Sequence, residues 1–182
     1  MKKILRIFGL VLLCFIVLVL LAAAIAKKDY SVERQVTLNK PRQEVFEYVK
    51  YLKNQSKYSV WAKIDPNMKT EYRGTDGTIG FVSAWDSPVR DAGKGEQEIT
   101  KIDDGKRIDY ELRFYKPMKS TDNAFMSFES VNDSVTNVKW GFFGKVKYPM
   151  NLSLLFMNMD AMLGKDLEGG LNNLKTLLEN KN

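Results

Sequence analysis

Residues 163–178 read LGKDLEGGLNNLKTLL, and this stretch decides the fold. Its leucines recur at spacings of four, four, three and four, which is the period of one face of an α-helix. We predict that the helix starts after Pro149, breaks near Gly164 and covers about 25–30 residues, which is long for a globular protein. A helix with such a stripe buries one side, and the strands that precede it are the only available partner.

Strand patterns occupy the chain from Thr70 to Phe143. In the segment KRIDYELRF, residues 106–114, apolar and charged side chains alternate, which indicates a half-buried strand with one wet face. Turn sequences such as Gly74-Thr75-Asp76-Gly77 separate the strands, so the segment reads as an antiparallel meander. The predicted strands are Thr70–Arg73, Ile79–Trp85, Glu96–Ile102, Lys106–Phe114, Ala124–Val131 and Val135–Phe143.

One more strand and two short helices precede this meander. Tyr30–Leu38 alternates as a strand, with Arg34 as the one charged residue on its apolar face. Asn39 and Pro41 then favour a helix start, and the apolar spacing predicts a helix over Arg42–Lys53. A further helical turn is expected around Ser56–Trp61. The order is therefore strand, short helices, meander and closing helix, an α+β arrangement.

The N-terminus is a candidate membrane anchor. Residues 7–26 contain no charge over twenty positions, and a helix of that length rises about 30 Å, the thickness of a hydrocarbon core. The alternative is a signal peptide cleaved near Ala26, since Ala24-Ile25-Ala26 has the small-x-small form. We expect an anchor over residues 1–28 and a single domain over 29–182. The cationic residues before the helix favour an extracytoplasmic domain.

Net charge excludes one class of partner. The chain carries +6, with 28 Lys and Arg against 22 Asp and Glu. Five of the cations and none of the anions lie in residues 1–28, so the rest of the chain is nearly neutral. A nearly neutral domain lacks the positive potential that attracts a phosphate backbone, so we expect no nucleic-acid binding. We expect a monomer.

The residue types also limit the chemistry. There is no histidine, and the only cysteine is Cys14, within the apolar segment. Disulfides, zinc sites, thiolate catalysis and histidine acid–base catalysis are therefore not expected, and we predict no cofactor and no metal. No pattern of carboxylates forms a catalytic constellation.

Four segments stand out along this order of elements: Pro41-x-x-x-Val45-Phe46-x-Tyr48-Val49, Asn54 followed by Trp61, Gly93-x-Gly95-x-Gln97-x-Ile99, and Gly164-Lys165-Asp166-Leu167-Glu168-x-Gly170-Leu171-x-x-Leu174-Lys175. With these segments, the order of elements resembles the SRPBCC superfamily, also called START-like or Bet v 1-like, over about Tyr30–Glu179. The similarity extends to members described as polyketide cyclase-like. That resemblance implies the helix-grip fold, in which a seven-stranded curved antiparallel sheet, with two short helices after strand 1, wraps around a long C-terminal helix.

Aromatic and methionine side chains are the main candidates for a binding site. Rigid rings and adaptable thioethers suit a cavity for an apolar ligand, although the same residues also suit a core that is packed solid. In the implied fold, the bent sheet leaves space beneath the helix, which favours the cavity. The candidate residues are Trp61, Tyr72, Trp85, Tyr110, Phe114, Phe128, Trp140, Phe142, Met157 and Met162.

Two polar residues join this set, and a glycine pair needs explanation. Arg34 and Gln97 point inward by alternation and are candidates for holding a polar end of a ligand. The alternative for Arg34 is an ordinary ion pair with an acid such as Glu71 or Glu98. Gly169-Gly170 lies inside the closing helix, where glycine is unfavourable, so we expect the helix to approach the sheet closely there.

Three functions remain open. The first is a membrane-tethered domain that binds a hydrophobic small molecule or lipid between sheet and C-terminal helix. The second is a cyclase- or aromatase-like enzyme in the same cavity, which requires a buried ionisable group such as Arg34, Tyr110 or a glutamate. The third is a protein–protein module that acts through an exposed apolar patch.

Overall fold

The computed structural model describes residues 2–180, and the chain divides into two compact units. The first unit consists of Met1–Tyr30 and Lys145–Met159, and the second of Ser31–Gly144 and Asp160–Asn182. Residues 1, 181 and 182, at the outer ends of the predicted ranges 1–28 and 29–182, lie outside the described residues.

A long apolar helix, α1 (Lys2–Ile25), dominates the first unit. By length and composition α1 is able to cross a membrane once, although a signal sequence near an N-terminus has the same properties. Ala23 is its one buried residue. The second part of this unit contains a 3-10 helix, Met150–Leu155.

Seven strands form one antiparallel sheet, because the alternating segments are joined by short local turns. Their order in the sheet is β1-β7-β6-β5-β4-β3-β2, so β1 closes onto the last strand. This is the predicted seven-stranded sheet of an α+β protein. The strands are β1 (Asp29–Leu38), β2 (Lys69–Arg73), β3 (Val82–Asp86), β4 (Lys94–Asp103), β5 (Arg107–Lys116), β6 (Ser120–Asn132) and β7 (Val135–Lys145).

Short helices follow β1, and a long helix ends the chain. The first pieces are α2 (Arg42–Lys50), a 3-10 turn at Leu52–Asn54, α3 (Gln55–Tyr58) and a 3-10 turn at Trp61–Lys63. The last helix, α4 (Met159–Glu179), has 21 residues. With the C-terminal helix against the sheet, the architecture is the predicted helix-grip fold.

Several predicted boundaries were wrong, among them the end of the first short helix, which is Lys50 rather than Lys53. The closing helix does not break at Gly164; the interruption falls at residues 156–158, between the Met150–Leu155 3-10 helix and α4. β3 starts at Val82 rather than Ile79, because Gly77 and Gly80 adopt positive φ angles of 78° and 85° and keep the intervening residues in a turn. β6 begins at Ser120, four residues before the predicted Ala124.

Charged residues cover the outer face of β2, β4 and β5. Arg113 bonds Glu96 at 2.7 Å and Glu98 at 2.6 Å, and it also contacts Glu111. Arg73 bonds the other oxygen of Glu96 at 2.6 Å. Burial alone would raise the pKa of Glu96, but the hydrogen bonds from Arg73, Arg113 and Tyr115 outweigh it and lower the pKa to about 2. The charged side chains of the outer face thus bond to one another, and the candidate ligand site is on the opposite face.

Candidate ligand-binding site

The inner face of the sheet is the face that α4 covers. Strand register places its side chains in rows, since residues opposite each other on neighbouring strands share a face. One row runs Ser83, Gln97, Leu112 and Asp122 across β3 to β6. The neighbouring rows contain Trp85, Gly95 and Phe114 on one side, and Ile99, Tyr110, Ala124 and Phe142 on the other.

One end of this inner face is packed solid. Leu167, Leu171, Leu174 and Leu178 of α4 are buried, and so are the aromatic residues of this part of the sheet. Phe46 of α2 meets Phe128 edge-on, with centroids 5.5 Å apart, and Tyr58 meets Trp140 edge-on at 5.8 Å. Phe128, Trp140 and Tyr110 are all buried here. At this end the aromatic residues form a packed core and not the wall of a cavity, which is the second of the two interpretations that their sequence pattern allows.

The other end is less tightly covered. Trp85, Leu112 and Phe114 are only half-buried, although all three belong to the inner rows of the sheet. Trp61 is also half-buried, but it meets Trp140 of the packed end edge-on, with centroids 5.8 Å apart. Trp85 and Phe114 meet edge-on with centroids 5.8 Å apart, and Phe114 lies 6.4 Å from Phe142. The Trp85 indole N–H donates to the Ala92 carbonyl at 3.0 Å, which fixes the ring. The inner face therefore presents a rigid aromatic surface at this end, which we call the aromatic end.

Gln97 lies in the next row of this face. Its side chain is 7% exposed, and its Nε2 atom has no hydrogen-bond partner in the structure. A buried amide donor without an acceptor is costly, so such groups are uncommon in packed cores. The amide is suited to donate to an acceptor brought by a ligand.

Asp122 is a further candidate residue on this face, and the sequence prediction does not include it. It is 5% exposed, stands two strands from Gln97 in the same row, and accepts a hydrogen bond from the Ser120 hydroxyl at 2.9 Å. The predicted strand began at Ala124 and so left Asp122 out. Extending the alternation of Ala124, Met126 and Phe128 by two residues would have placed it inward.

Arg34 is on the inward-facing side of β1, as predicted, but it has a protein partner. Its guanidinium makes two hydrogen bonds of 2.8 Å to the Asp160 carboxylate at the start of α4. This pair raises the pKa of Arg34 and lowers that of Asp160. Gly164, one turn along, leaves room for the guanidinium. The partner is neither Glu71 nor Glu98, the two acids that the sequence suggested.

The remaining predicted site residues lie apart from the aromatic end or are exposed. Tyr72 is 39% exposed and stacks on Phe81 at the β2 edge. Met162 is 52% exposed on α4, and Met157 belongs to the first unit. The buried phenol of Tyr110 has a pKa raised well above its usual value, chiefly by desolvation, so it stays protonated. Among residues 2–180, no group of His, Cys, Asp and Glu is arranged to hold a metal ion.

Comparison with solved structures shows the fold. Norcoclaurine synthase from Thalictrum flavum is similar with a TM-score of 0.62 at 8% identity, over 87% of this chain and 98% of that one. Ara h 8.0201 has a TM-score of 0.56 at 15% identity, over 84% and 99% of the two chains. The Aha1 dimer from Colwellia psychrerythraea has a TM-score of 0.52 at 10% identity, over 83% and 97%.

Comparison with curated proteins gave no match. The family model described as polyketide cyclase / dehydrase and lipid transport matches residues 29–179, which is most of the chain. This match agrees with the helix-grip fold, with the two short helices after β1 and with the long closing helix. The chain belongs to the polyketide cyclase / dehydrase and lipid transport family.

Proposed function

We propose that this protein is a membrane-tethered binding protein for a hydrophobic small molecule or lipid. The observation that carries the proposal is the unpartnered Nε2 of Gln97, beside half-buried Trp85, Leu112 and Phe114 on the inner face of the sheet. Apolar walls with one oriented polar group are the usual composition of a small-molecule site. The lipid-transport part of the family description supports this reading.

The row of residues defines the ligand class. Gln97 supplies an N–H donor, and Leu112 separates it from Asp122 by two strand spacings, about 10 Å. A ligand with an apolar body and one carbonyl, ether or hydroxyl oxygen satisfies the amide while its body covers the rings. Such molecules partition into bilayers, so a tether through residues 7–26 keeps the domain beside their reservoir.

Native mass spectrometry tests the proposal. The full chain, expressed in a bacterial host and released from detergent micelles in the spectrometer, is expected to retain an apolar molecule. Leu112→Trp adds bulk at the aromatic end and is expected to abolish that retention. Thr121→Trp is the matched control, because Thr121 is exposed on the outer face and should leave retention unchanged. Equal retention by both variants would place the ligand elsewhere, and no retention by the wild-type chain would contradict the proposal.

An enzyme in the same location is the second candidate, and Asp122 favours it. A buried carboxylate on the inner face, one row from the buried Tyr110, is the kind of group that acid–base catalysis requires. The molecules extracted with wild type and with Asp122→Asn distinguish the two functions. An enzyme is expected to accumulate an unconverted substrate of different mass in the variant. A binding protein is expected to release the same molecule from both.

We further propose that α1 is retained as an anchor and that the domain over 29–182 lies on the extracytoplasmic side. The cationic residues Lys2, Lys3 and Arg6 before α1 support this orientation through the positive-inside bias. Protease added outside intact spheroplasts is expected to digest the domain while the membrane keeps a fragment containing α1. Protection of the domain would reverse the orientation, and its appearance in the medium with a new N-terminus near Lys27 would mean cleavage.

A further inference from the structure

The segment from Tyr148 to Met157, YPMNLSLLFM, is uncharged and mostly apolar, and its two ends are exposed. Five of its large apolar side chains face solvent to a large extent, and Phe156 is 88% exposed, more than any other large apolar residue among residues 26–180. Exposed apolar residues are ordinary when single, but a contiguous group marks a surface that another apolar phase covers. The exposed residues are Tyr148, Met150, Leu155, Phe156 and Met157.

Hydrogen bonds attach this segment to the C-terminal end of α1. Asn151 is fully buried, and its Nδ2 donates to the carbonyls of Ala23 at 2.7 Å and Ala26 at 3.2 Å. The Ala23 carbonyl belongs to the last turn of α1, where no intrahelical N–H is available, and Ala26 directly follows the helix. The backbone N–H of Val146 also donates to the Lys28 carbonyl at 2.8 Å. The segment is therefore held at a defined position along the helix axis.

That position coincides with the edge of the hydrocarbon core. If α1 spans the bilayer with residues 7–26 in the apolar layer, Ala23 lies about 5 Å inside its boundary, at 1.5 Å per residue. The segment bonded to Ala23 then lies at the same depth, where Tyr, Phe and Met side chains are favourable. Phe156, five residues after Asn151 in the same segment, has an exposed ring that is unfavourable in water and is within reach of the acyl chains from that position.

The charges in this part of the unit fit the same surface. Two lysines follow α1, Lys27 and Lys28, and two precede the segment, Lys145 and Lys147. The one acid beside them is Asp29. Lysines just outside an apolar anchor attract anionic lipid headgroups. A second protein partner would fit the apolar side chains equally well, but it would not require their placement at the end of a membrane helix.

We propose that residues 148–157 are a second membrane contact, which inserts beside α1 into the leaflet that holds the helix C-terminus and is flanked by lysines on anionic headgroups. This inference rests on the proposed anchoring of α1. It gives the domain two attachments to the bilayer surface instead of a single flexible tether. The bilayer is the partner, and its acyl chains are the phase that covers Phe156.

Fluorescence quenching tests the insertion in the full chain. Phe156→Cys in a Cys14→Ser background is labelled with a polarity-sensitive fluorophore and reconstituted into phosphatidylcholine vesicles containing phosphatidylglycerol. Nitroxides placed high on the acyl chain are expected to quench this fluorophore several-fold more than aqueous iodide does. Position 156 is exposed, so the substitution leaves the fold intact. Val131→Cys is the matched control, at a 62% exposed apolar residue near the end of β6, and it should be quenched by iodide alone.

Native Cys14, labelled in the wild-type chain before reconstitution, reports on the anchor separately. Deep nitroxides are expected to quench it. If Cys14 is quenched by lipid but position 156 behaves like position 131, the second contact is wrong and the anchor stands. If position 156 is shielded from lipid nitroxides and from iodide alike, a protein surface covers it and the proposal is overturned. If Cys14 is not quenched by lipid, the anchoring itself fails.

Discussion

Gly170 of α4 lies directly against the indole of Trp140 in β7. A Cβ at position 170 would be 2.6 Å from ring atom Cζ3, well inside van der Waals contact, so only glycine fits without movement. The helix therefore approaches the sheet here as closely as its backbone permits. This contact explains the second glycine of the Gly169-Gly170 pair, which is otherwise unfavourable in a helix.

Gly170→Ala is expected to destabilise the protein by about 1–3 kcal/mol, because the methyl group overpacks a fully buried ring. Gly169→Ala is the matched control. Its nearest contact is a methyl group of half-buried Val60 at 3.0 Å, and the helix propensity of alanine offsets this crowding by about 1 kcal/mol.

Urea unfolding of the full chain in detergent, followed by fluorescence of the three tryptophans, measures both variants. All three lie in the second unit, so the signal reports on the sheet and α4. Equal stability of the two alanine variants would mean that α4 moves away from Trp140 without cost.

Periodicity predicted most of the fold because each element has a strong local pattern. The leucine stripe of α4 and the alternation in β5 are local signals, and both elements occur where they were expected. The errors fall where backbone conformation overrides side-chain pattern. Gly80 keeps apolar Ile79 out of β3, and residues 156–158 interrupt an apolar run that otherwise continues into α4.

Long-range partners were beyond such reasoning. Arg34 and Asp160 are 126 residues apart in sequence, and nothing local indicates that the start of α4 would meet β1. The inward position of Asp122, by contrast, can be predicted from local sequence, because it continues the alternation of β6. The distinction between a solid core and a half-open one also depends on how far α4 covers the sheet, which no single segment encodes.

Glu96→Gln is expected to destabilise the protein at pH 7 by about 1–3 kcal/mol, since it removes the charge that Arg73 and Arg113 share. The pKa of Glu96 is about 2 in the folded protein against an ordinary 4.5. The ionised Glu96 therefore contributes fully to the free energy of unfolding of the wild type above pH 4.5. This contribution is lost as the pH falls from 4.5 towards 2. The difference between wild type and variant should shrink over that interval.

Glu71→Gln provides the comparison for Glu96. Glu71 lies on the same outer face, but its side chain is 73% exposed and its oxygen is 4.0 Å from Arg73. Exposed pairs of this kind contribute little, so stability should be nearly unchanged at all pH values. A constant offset for Glu96→Gln from pH 7 to pH 3 would contradict the assignment of the acid transition to this carboxylate.

Asn151→Leu is expected to release residues 145–159 from the end of α1. The substitution removes the donor that satisfies the buried Ala23 carbonyl, a loss of about 1–3 kcal/mol for the local structure. Hydrogen exchange of the Val146 amide, which bonds to Lys28, should accelerate by about tenfold or more. Asn137→Leu, which loses a single exposed bond of 3.4 Å to Gln35, should leave that amide unchanged.

Gln97→Met separates stability from ligand binding. In the free protein the buried Nε2 has no partner, so an apolar side chain of similar length should leave the free energy of unfolding unchanged or raise it by up to about 1 kcal/mol. In the complex the amide is expected to donate to the ligand, and its loss should weaken binding of oxygen-bearing ligands by about tenfold. Binding of a purely hydrocarbon probe should be unaffected.

Titration of the full chain with matched long-chain alcohol and alkane probes, together with urea unfolding of the same variant, checks both halves of this expectation. Groups that serve binding often lower the stability of the free protein. A Gln97→Met variant that is more stable but no longer prefers the alcohol to the alkane fits this trade-off. A variant that is destabilised by more than about 1 kcal/mol would show that the amide serves the fold. Unchanged preference between the two probes would place the polar end of the ligand away from Gln97.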